Sequence, residues 1–347
     1  MQNQSINSVS EFLLHAGTEY CVFDMGRGLS KVDTQTFLDI ENGLVCAPYP
    51  RQKHAWFGIV FWNKNASENH YIWFLKFPVD EQGLVMSAAR NHFLQIIVDA
   101  LGQSISEDTE KAQQLPDNPY SFVPTQSQMA QFNGFVKKEF NVEPPSSSSQ
   151  HVMAYIDAPQ VADWRGLSIQ AVADVSVCLD DTNTAQRVAK NFSLYAPEFK
   201  NTLMRASESL PKQDVIITAF IDALAISGDF CIEALAGLGT SSASELIQTS
   251  LVELLNSEHA IRVDVLSVIA ARHFNQFNDA ILLLFFEAAA EADEHHGHKG
   301  ELFIGLFSDL VQVPSLRDSV LAMLRTPERS DTLAKAIGHL FSNTRGA

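Results

Sequence analysis

Basic residues are scarce in this chain. Lys and Arg number 24 against 41 Asp and Glu, a net charge of −17 over 347 residues. The deficit is shared, since residues 1–158 carry 10 basic and 17 acidic side chains and residues 159–347 carry 14 and 24. A phosphate backbone or an anionic lipid surface has to be met by clustered cations. The one adjacent basic pair is Lys137-Lys138. Nucleic acid and membrane are therefore not expected as partners, whereas a protein partner is allowed by the field.

Cysteine is also sparse. Cys21, Cys46, Cys178 and Cys231 form no CxxC pair, which leaves neither a structural zinc site nor a disulfide framework to read. Long hydrophobic runs are missing too: the most apolar segment, residues 280–290, is flanked by Asp279 and Glu291 and is about half the length of a membrane helix. Near the start, Phe12-Leu13-Leu14 ends at His15 and Gly17 without a basic segment before it, so no signal peptide is expected and a cytoplasmic location is. No Gly-x-Ser-x-Gly, His-Glu-x-x-His or Walker-type loop occurs. The common hydrolase, metalloprotease and P-loop classes lose their usual support.

What is present suits a folded protein of two domains. Hydrophobic residues make up 46% and charged residues 19%, ordinary values for globular chains, and the length exceeds one typical core. In the first half, Ser8 and Glu11 form a capping box ahead of a short helix stopped by Gly17. Residues 20–25 read as a strand, and Asp33 is a plausible N-cap for a helix ended by Gly43. Residues 54–62 and 70–77 are aromatic and β-branched runs joined by a polar loop, a hairpin with large side chains on both faces. Ser87 opens a long amphipathic helix ending at Gly102, residues 103–125 read as an irregular excursion, and residues 128–140 as a short helix. Pro144-Pro145-Ser146-Ser147-Ser148-Ser149 reads as a mobile loop, and residues 151–157 as one more strand returning to the sheet. That places the domain border near Ala158.

From there the spacing turns helical. Apolar segments of helix length follow one another, each closed by Gly, Pro, Asn or Ser, and three of them carry an Arg just ahead of the stripe: Arg187, Arg262 and Arg317. The expected fold is an α+β N-terminal domain over residues 1–158, with a small, mainly antiparallel sheet and helices. An all-α helical-hairpin array follows over 159–347, HEAT-like or an irregular α-solenoid, with a compact helical bundle as the alternative. Over nearly its whole length the chain resembles a bacterial family of uncharacterised proteins, through Val22-Phe23-Asp24-Met25-Gly26-Arg27 and the hairpin bearing Trp56, Trp62 and Trp73. That resemblance implies no catalytic residue, and no cofactor is expected.

Four features carry potential chemistry. The strand running into Asp24-Met25-Gly26-Arg27 resembles the phosphate-contacting turn of actin-like ATPases, although no second phosphate turn accompanies it. His295, His296 and His298 lie among Glu291, Asp293, Glu294 and Glu301, a density that suits zinc, nickel or copper, but without the i, i+4 spacing of two helical ligands. Asp180-Asp181 reads as a helix cap rather than a dyad. Trp56 and Trp73 could stack a ligand or anchor a partner. Architecture favours a non-catalytic interaction or scaffold module, with a protein partner and a possible homodimer. The alternative is a small-molecule or nucleotide-binding enzyme with its site between the domains near Asp24 and Arg27.

Overall fold

The computed structural model describes residues 7–63, 70–104, 117–142, 146–226, 229–240 and 242–344. All but Asn63 of the expected hairpin loop at 63–69, most of the polar excursion, and Pro144-Pro145 lie outside these residues. The chain divides into two compact units, residues 1–123 with 312–315, and residues 124–311 with 316–347.

The first unit is built on a four-stranded sheet of order β2-β1-β3-β4, antiparallel throughout. The strands are β1 (Thr18–Asp24), β2 (Ser30–Val32), β3 (His54–Asn63) and β4 (Tyr71–Pro78). Side chains alternate between faces along each strand, and the register sets Val22 opposite Ile59, Phe57 opposite Leu75 and Ala55 opposite Phe77. These residues share one core with α1 (Val9–His15), α2 (Thr34–Glu41) and α3 (Ser87–Ser104), which contribute Val9, Leu13, Phe37, Ile40, Phe93 and Ile97. Phe23 and Val60, on the opposite face, are fully buried as well. The caps form as their residues dictate: Ser8 Oγ accepts the Glu11 N–H, and Asp33 accepts those of Gln35 and Thr36. Glu41, buried at the end of α2, accepts the N–H groups of Val9 and Ser10 at 2.7 and 3.1 Å and the Ser10 hydroxyl at 2.6 Å. A carboxylate is thus delivered by tertiary packing to the positive end of α1.

The second unit is helical. It contains α4 (Gln126–Glu139), α5 (Ser146–Asp157), α6 (Ile169–Ser176), α7 (Thr182–Lys190), α8 (Pro197–Ala206), α9 (Asp214–Asp222), α10 (Ile232–Gly237) and α11 (Glu245–Leu255). After these come α12 (Val263–Arg272), α13 (Asp279–His296), α14 (Glu301–Leu310), α15 (Arg317–Met323) and α16 (Asp331–Thr344). A short antiparallel ribbon, β5 (Ala225–Ile226) and β6 (Asp229–Phe230), interrupts the series.

Four expectations are corrected here. Residues 151–157 are helical, not a strand, and Ser146 to Ser149 open that helix instead of forming a loop. Short apolar runs are ambiguous by periodicity. Burial of Val152, Tyr155 and Ile156, at i, i+3 and i+4, resolves it, with Tyr155 packed edge-on against Phe199 at 4.6 Å. Because α4 and α5 pack on α6, the helical unit begins at Pro124, earlier than the Ala158 border expected from sequence. The helix expected from residue 159 starts only at Ile169, where Ser168 Oγ accepts the Ala171 N–H.

Packing follows a simple order. Helices α4, α6, α8, α10 and α12 lie each against the next, and α5, α7, α9, α11 and α13 do the same. Helices adjacent in sequence join the two rows, and the widest principal pairings span only three or four places, α13 with α16 and α4 with α8. This is an array, with contacts that progress along the chain rather than closing on themselves. Side chains tie its turns together: the Lys212 ammonium donates to the Leu210 and Gly239 carbonyls at 2.8 and 2.6 Å, and Gln276 donates to the Ser242 carbonyl while accepting the Ser244 N–H. Among the described residues no helix is long and apolar enough to cross a membrane.

Candidate functional site

Asp24 closes β1, and both it and Arg27 are buried, at 0% and 1% exposure. Oδ1 of Asp24 accepts the Gly26 N–H at 2.9 Å, whereas Oδ2 has no hydrogen-bond partner. Burial pushes this carboxyl from its ordinary 3.8 up to about 7, against the opposing pull of the Gly26 N–H and the charges of Arg27 and Arg51. Arg27 Nε donates to the Pro50 carbonyl at 2.9 Å. The space beside Gly26 is filled by the chain itself, since a Cβ there would lie 1.9 Å from the Tyr49 carbonyl oxygen. In a phosphate turn the glycine admits an anion to backbone N–H groups. Here it admits a carbonyl oxygen, which repels anions. The turn is packed as a structural joint between β1 and the 49–51 loop.

The two tryptophans do not form one platform. Trp73 lies opposite Ile59, on the core face, and packs against Phe61 at 4.8 Å and Phe93 at 6.1 Å. Trp56 lies opposite Lys76 on the other face, edge-on to Phe122 at 4.9 Å, with the Arg51 guanidinium 4.7 Å from its ring centroid. Its indole N–H donates to the Arg51 carbonyl at 3.0 Å. Period-two alternation separates residues of unlike parity whatever their nearness in sequence.

The histidines are exposed, and α13 runs on through His295 and His296 before Gly297 ends it in the left-handed conformation at φ 69°. Consecutive helical positions diverge in direction, and His296 Nε2 turns to the Ile261 carbonyl at 3.0 Å. Among the described residues no group of three or more His, Cys, Asp or Glu side chains is placed to hold a metal ion. Asp293 instead has both oxygens engaged, accepting the Gly300 N–H at 2.6 Å and the Phe303 N–H at 3.0 Å, so it caps α14 from the preceding helix. Asp293→Asn turns one of those acceptors into a donor facing a donor and is expected to cost about 2 kcal/mol, read as a lowered denaturant midpoint.

Ion pairs account for the basic doublet. Lys137 reaches the buried Asp174 at 2.9 Å and Lys138 reaches Asp180 at 2.7 Å, both linking α4 to the α6 region. Asp181 caps α7, accepting the Thr184 N–H at 2.8 Å. The acidic pair thus divides between a lysine and a helix N-terminus.

A surface the sequence reading missed lies at the last helices. Between α15 and α16 is a cleft of about 790 Å³, walled by Leu321, Ala322 and Arg325 on one side and Ile337, Gly338 and Phe341 on the other. Leu321 and Phe341 are 45% and 52% exposed. Helix α16 carries two apolar stripes. Leu333, Ala336, Ile337 and Leu340 face the core, and a second stripe, Ala334, Ile337, Gly338 and Phe341, lines the cleft. Only the first matches the usual one-faced helix. A Cβ on Gly338 would meet nothing within 4 Å. Gly338→Ala is therefore expected to stabilise the chain by about 1 kcal/mol, measurable as a raised thermal midpoint.

A family model described as protein of unknown function, DUF3549, matches residues 4–341. The chain belongs to this family. The DUF3549 match spans both compact units, so the sheet and the array are parts of one family architecture. No curated protein and no solved structure matches the chain. Function in this DUF3549 member is therefore argued from its geometry.

Proposed function

We propose that this DUF3549 chain is a non-catalytic, cytoplasmic interaction module whose helical array, of the α-solenoid type, presents the docking surface for a protein partner. The observation that carries this reading is the progressive packing order of α4 to α13, in which helices are added along two rows, with α14, α15 and α16 packed on α13 at the end. Such an arrangement exposes row faces instead of enclosing one core. The internal ion pairs of Lys137 and Lys138 and the net charge of −17 favour protein over nucleic acid as the partner. A nucleotide or small-molecule site near Asp24 and Arg27 is the weaker reading, because both side chains are buried and the Tyr49 carbonyl fills the turn.

Affinity purification of the tagged full-length chain from its native cells, with quantitative mass spectrometry, tests the proposal. One protein recovered in near-stoichiometric amount is the expected result. Recovery of no such protein after reversible cross-linking would overturn it.

A further inference from the structure

We propose that the cleft between α15 and α16 is a docking groove for an amphipathic helix of a partner protein, one that carries an apolar stripe flanked by carboxylates. This inference rests on the interaction-module reading and gives that module its contact site and the chemistry of its partner.

The groove has the geometry that a helix requires. Its α15 wall places Asp318, Leu321 and Ala322 at i, i+3 and i+4, with Arg325 in the turn that follows, and its α16 wall places Ala334, Ile337, Gly338 and Phe341 at i, i+3, i+4 and i+7. Parallel stripes of that period are what a helix presents and what it recognises, with anchors every three or four residues. Ala322, Ala334 and Gly338 leave the floor shallow, so a third helix could approach closely between Leu321 and Phe341. Gly338 sits mid-helix, where glycine is costly, and none of the described residues occupies the space its missing side chain leaves. An incoming backbone would use that space.

Charge selects the partner. The chain is strongly acidic as a whole, yet Arg325 and Arg329 both line this groove, with Arg329 Nη1 anchored on the Leu324 carbonyl at 2.7 Å. Asp318 lies in the first turn of α15, whereas Arg325 lies in the turn beyond its C-terminus. Carboxylates on a bound helix would therefore be accepted beside the arginines, and a basic helix would be turned away there.

The test places the photo-cross-linker p-benzoylphenylalanine at Leu321 of the full-length chain in its native cells, and separately at Val215 and Leu246, exposed positions on α9 and α11. The cross-linked segment is sequenced and synthesised, and its binding is followed by fluorescence anisotropy. The expected segment is an acidic amphipathic helix captured at Leu321. Gly338→Leu should weaken its binding at least tenfold without lowering the thermal midpoint, as should the Arg325→Glu, Arg329→Glu pair. Gly305→Leu, at the other helical glycine with open space beside it, should leave binding unchanged. A second copy of this chain at Leu321, a segment without acidic residues, no protein at that position, or unchanged binding by Gly338→Leu would each overturn the groove. Capture of a partner only at Val215 or Leu246 would sink the groove and leave the interaction module standing, whereas no capture at any position would sink both.

Discussion

Asp24→Asn is expected to stabilise the folded chain by about 4 kcal/mol at pH 8 and by little near pH 4. The wild-type carboxyl has an ordinary value of 3.8 when unfolded and about 7 when folded. Between those values the native chain binds a proton that the unfolded chain releases, so stability is complete below the unfolded value, falls as pH rises, and levels off above about 7. Asparagine keeps an acceptor for the Gly26 N–H and removes the buried charge. His273 works in the other direction. Burial pushes its imidazole down to about 4, so its contribution is present above 6.5 and lost on acidification. The informative quantity is thus the difference between the two chains at each pH, from denaturant unfolding followed by tryptophan fluorescence. Trp56, Trp62 and Trp73 report the sheet unit. A difference that stays constant from pH 4 to 8 would show that burial leaves the folded carboxyl at its unfolded value.

Gly26→Ala is expected to cost about 3 kcal/mol or more. The added methyl would sit 1.9 Å from the Tyr49 carbonyl oxygen and 3.3 Å from Asp24 Oδ1. Neither side can retreat cheaply. The Met25 N–H is bonded to the Trp56 carbonyl at 2.8 Å, and Arg27 Nε holds the Pro50 carbonyl on the facing loop. Gly166→Ala, where a Cβ meets nothing within 4 Å, is the control and should be near neutral. Equal midpoints for the two variants would remove the packing account of the Asp24 turn and favour the reading of Asp24 and Arg27 as ligand-binding residues.

The four candidate sites were legible to different degrees, and the reason differs at each. Asp181 acts within three residues of itself, accepting the Thr184 N–H, so residue type and spacing suffice to read a cap. The Asp24 turn was visible as a motif, but its meaning depends on Tyr49, a residue whose approach no local pattern encodes. That the hairpin carries large side chains on both faces is legible from the aromatic runs, but which face holds Trp56 and which Trp73 is set by cross-strand register. The density of His295, His296 and His298 among carboxylates is legible as a metal candidate, but α13 carries His295 and His296 on consecutive helical positions, which point apart. The α15–α16 groove was missed because Phe341 lies off the stripe that a one-faced helix would bury, and a lone exposed aromatic says nothing until its neighbours are placed.

By itself the sequence determined the class of each half: capping residues, glycine stops and the change from period two to period 3.6 are local signals, and the strands and most helices formed where those signals lay. Tertiary structure alone decided the helical state of residues 151–157, where burial of Val152, Tyr155 and Ile156 outweighed an ambiguous run, and with it the start of the helical unit at Pro124. It also decided which charges are buried. Asp24, Asp293 and Glu41 read as ordinary acidic residues along the chain, and only the packing around them makes one a buried acid with a single oxygen hydrogen-bonded and the other two helix caps. Local patterns depend on neighbours in sequence, whereas desolvation depends on what packs against a group in space.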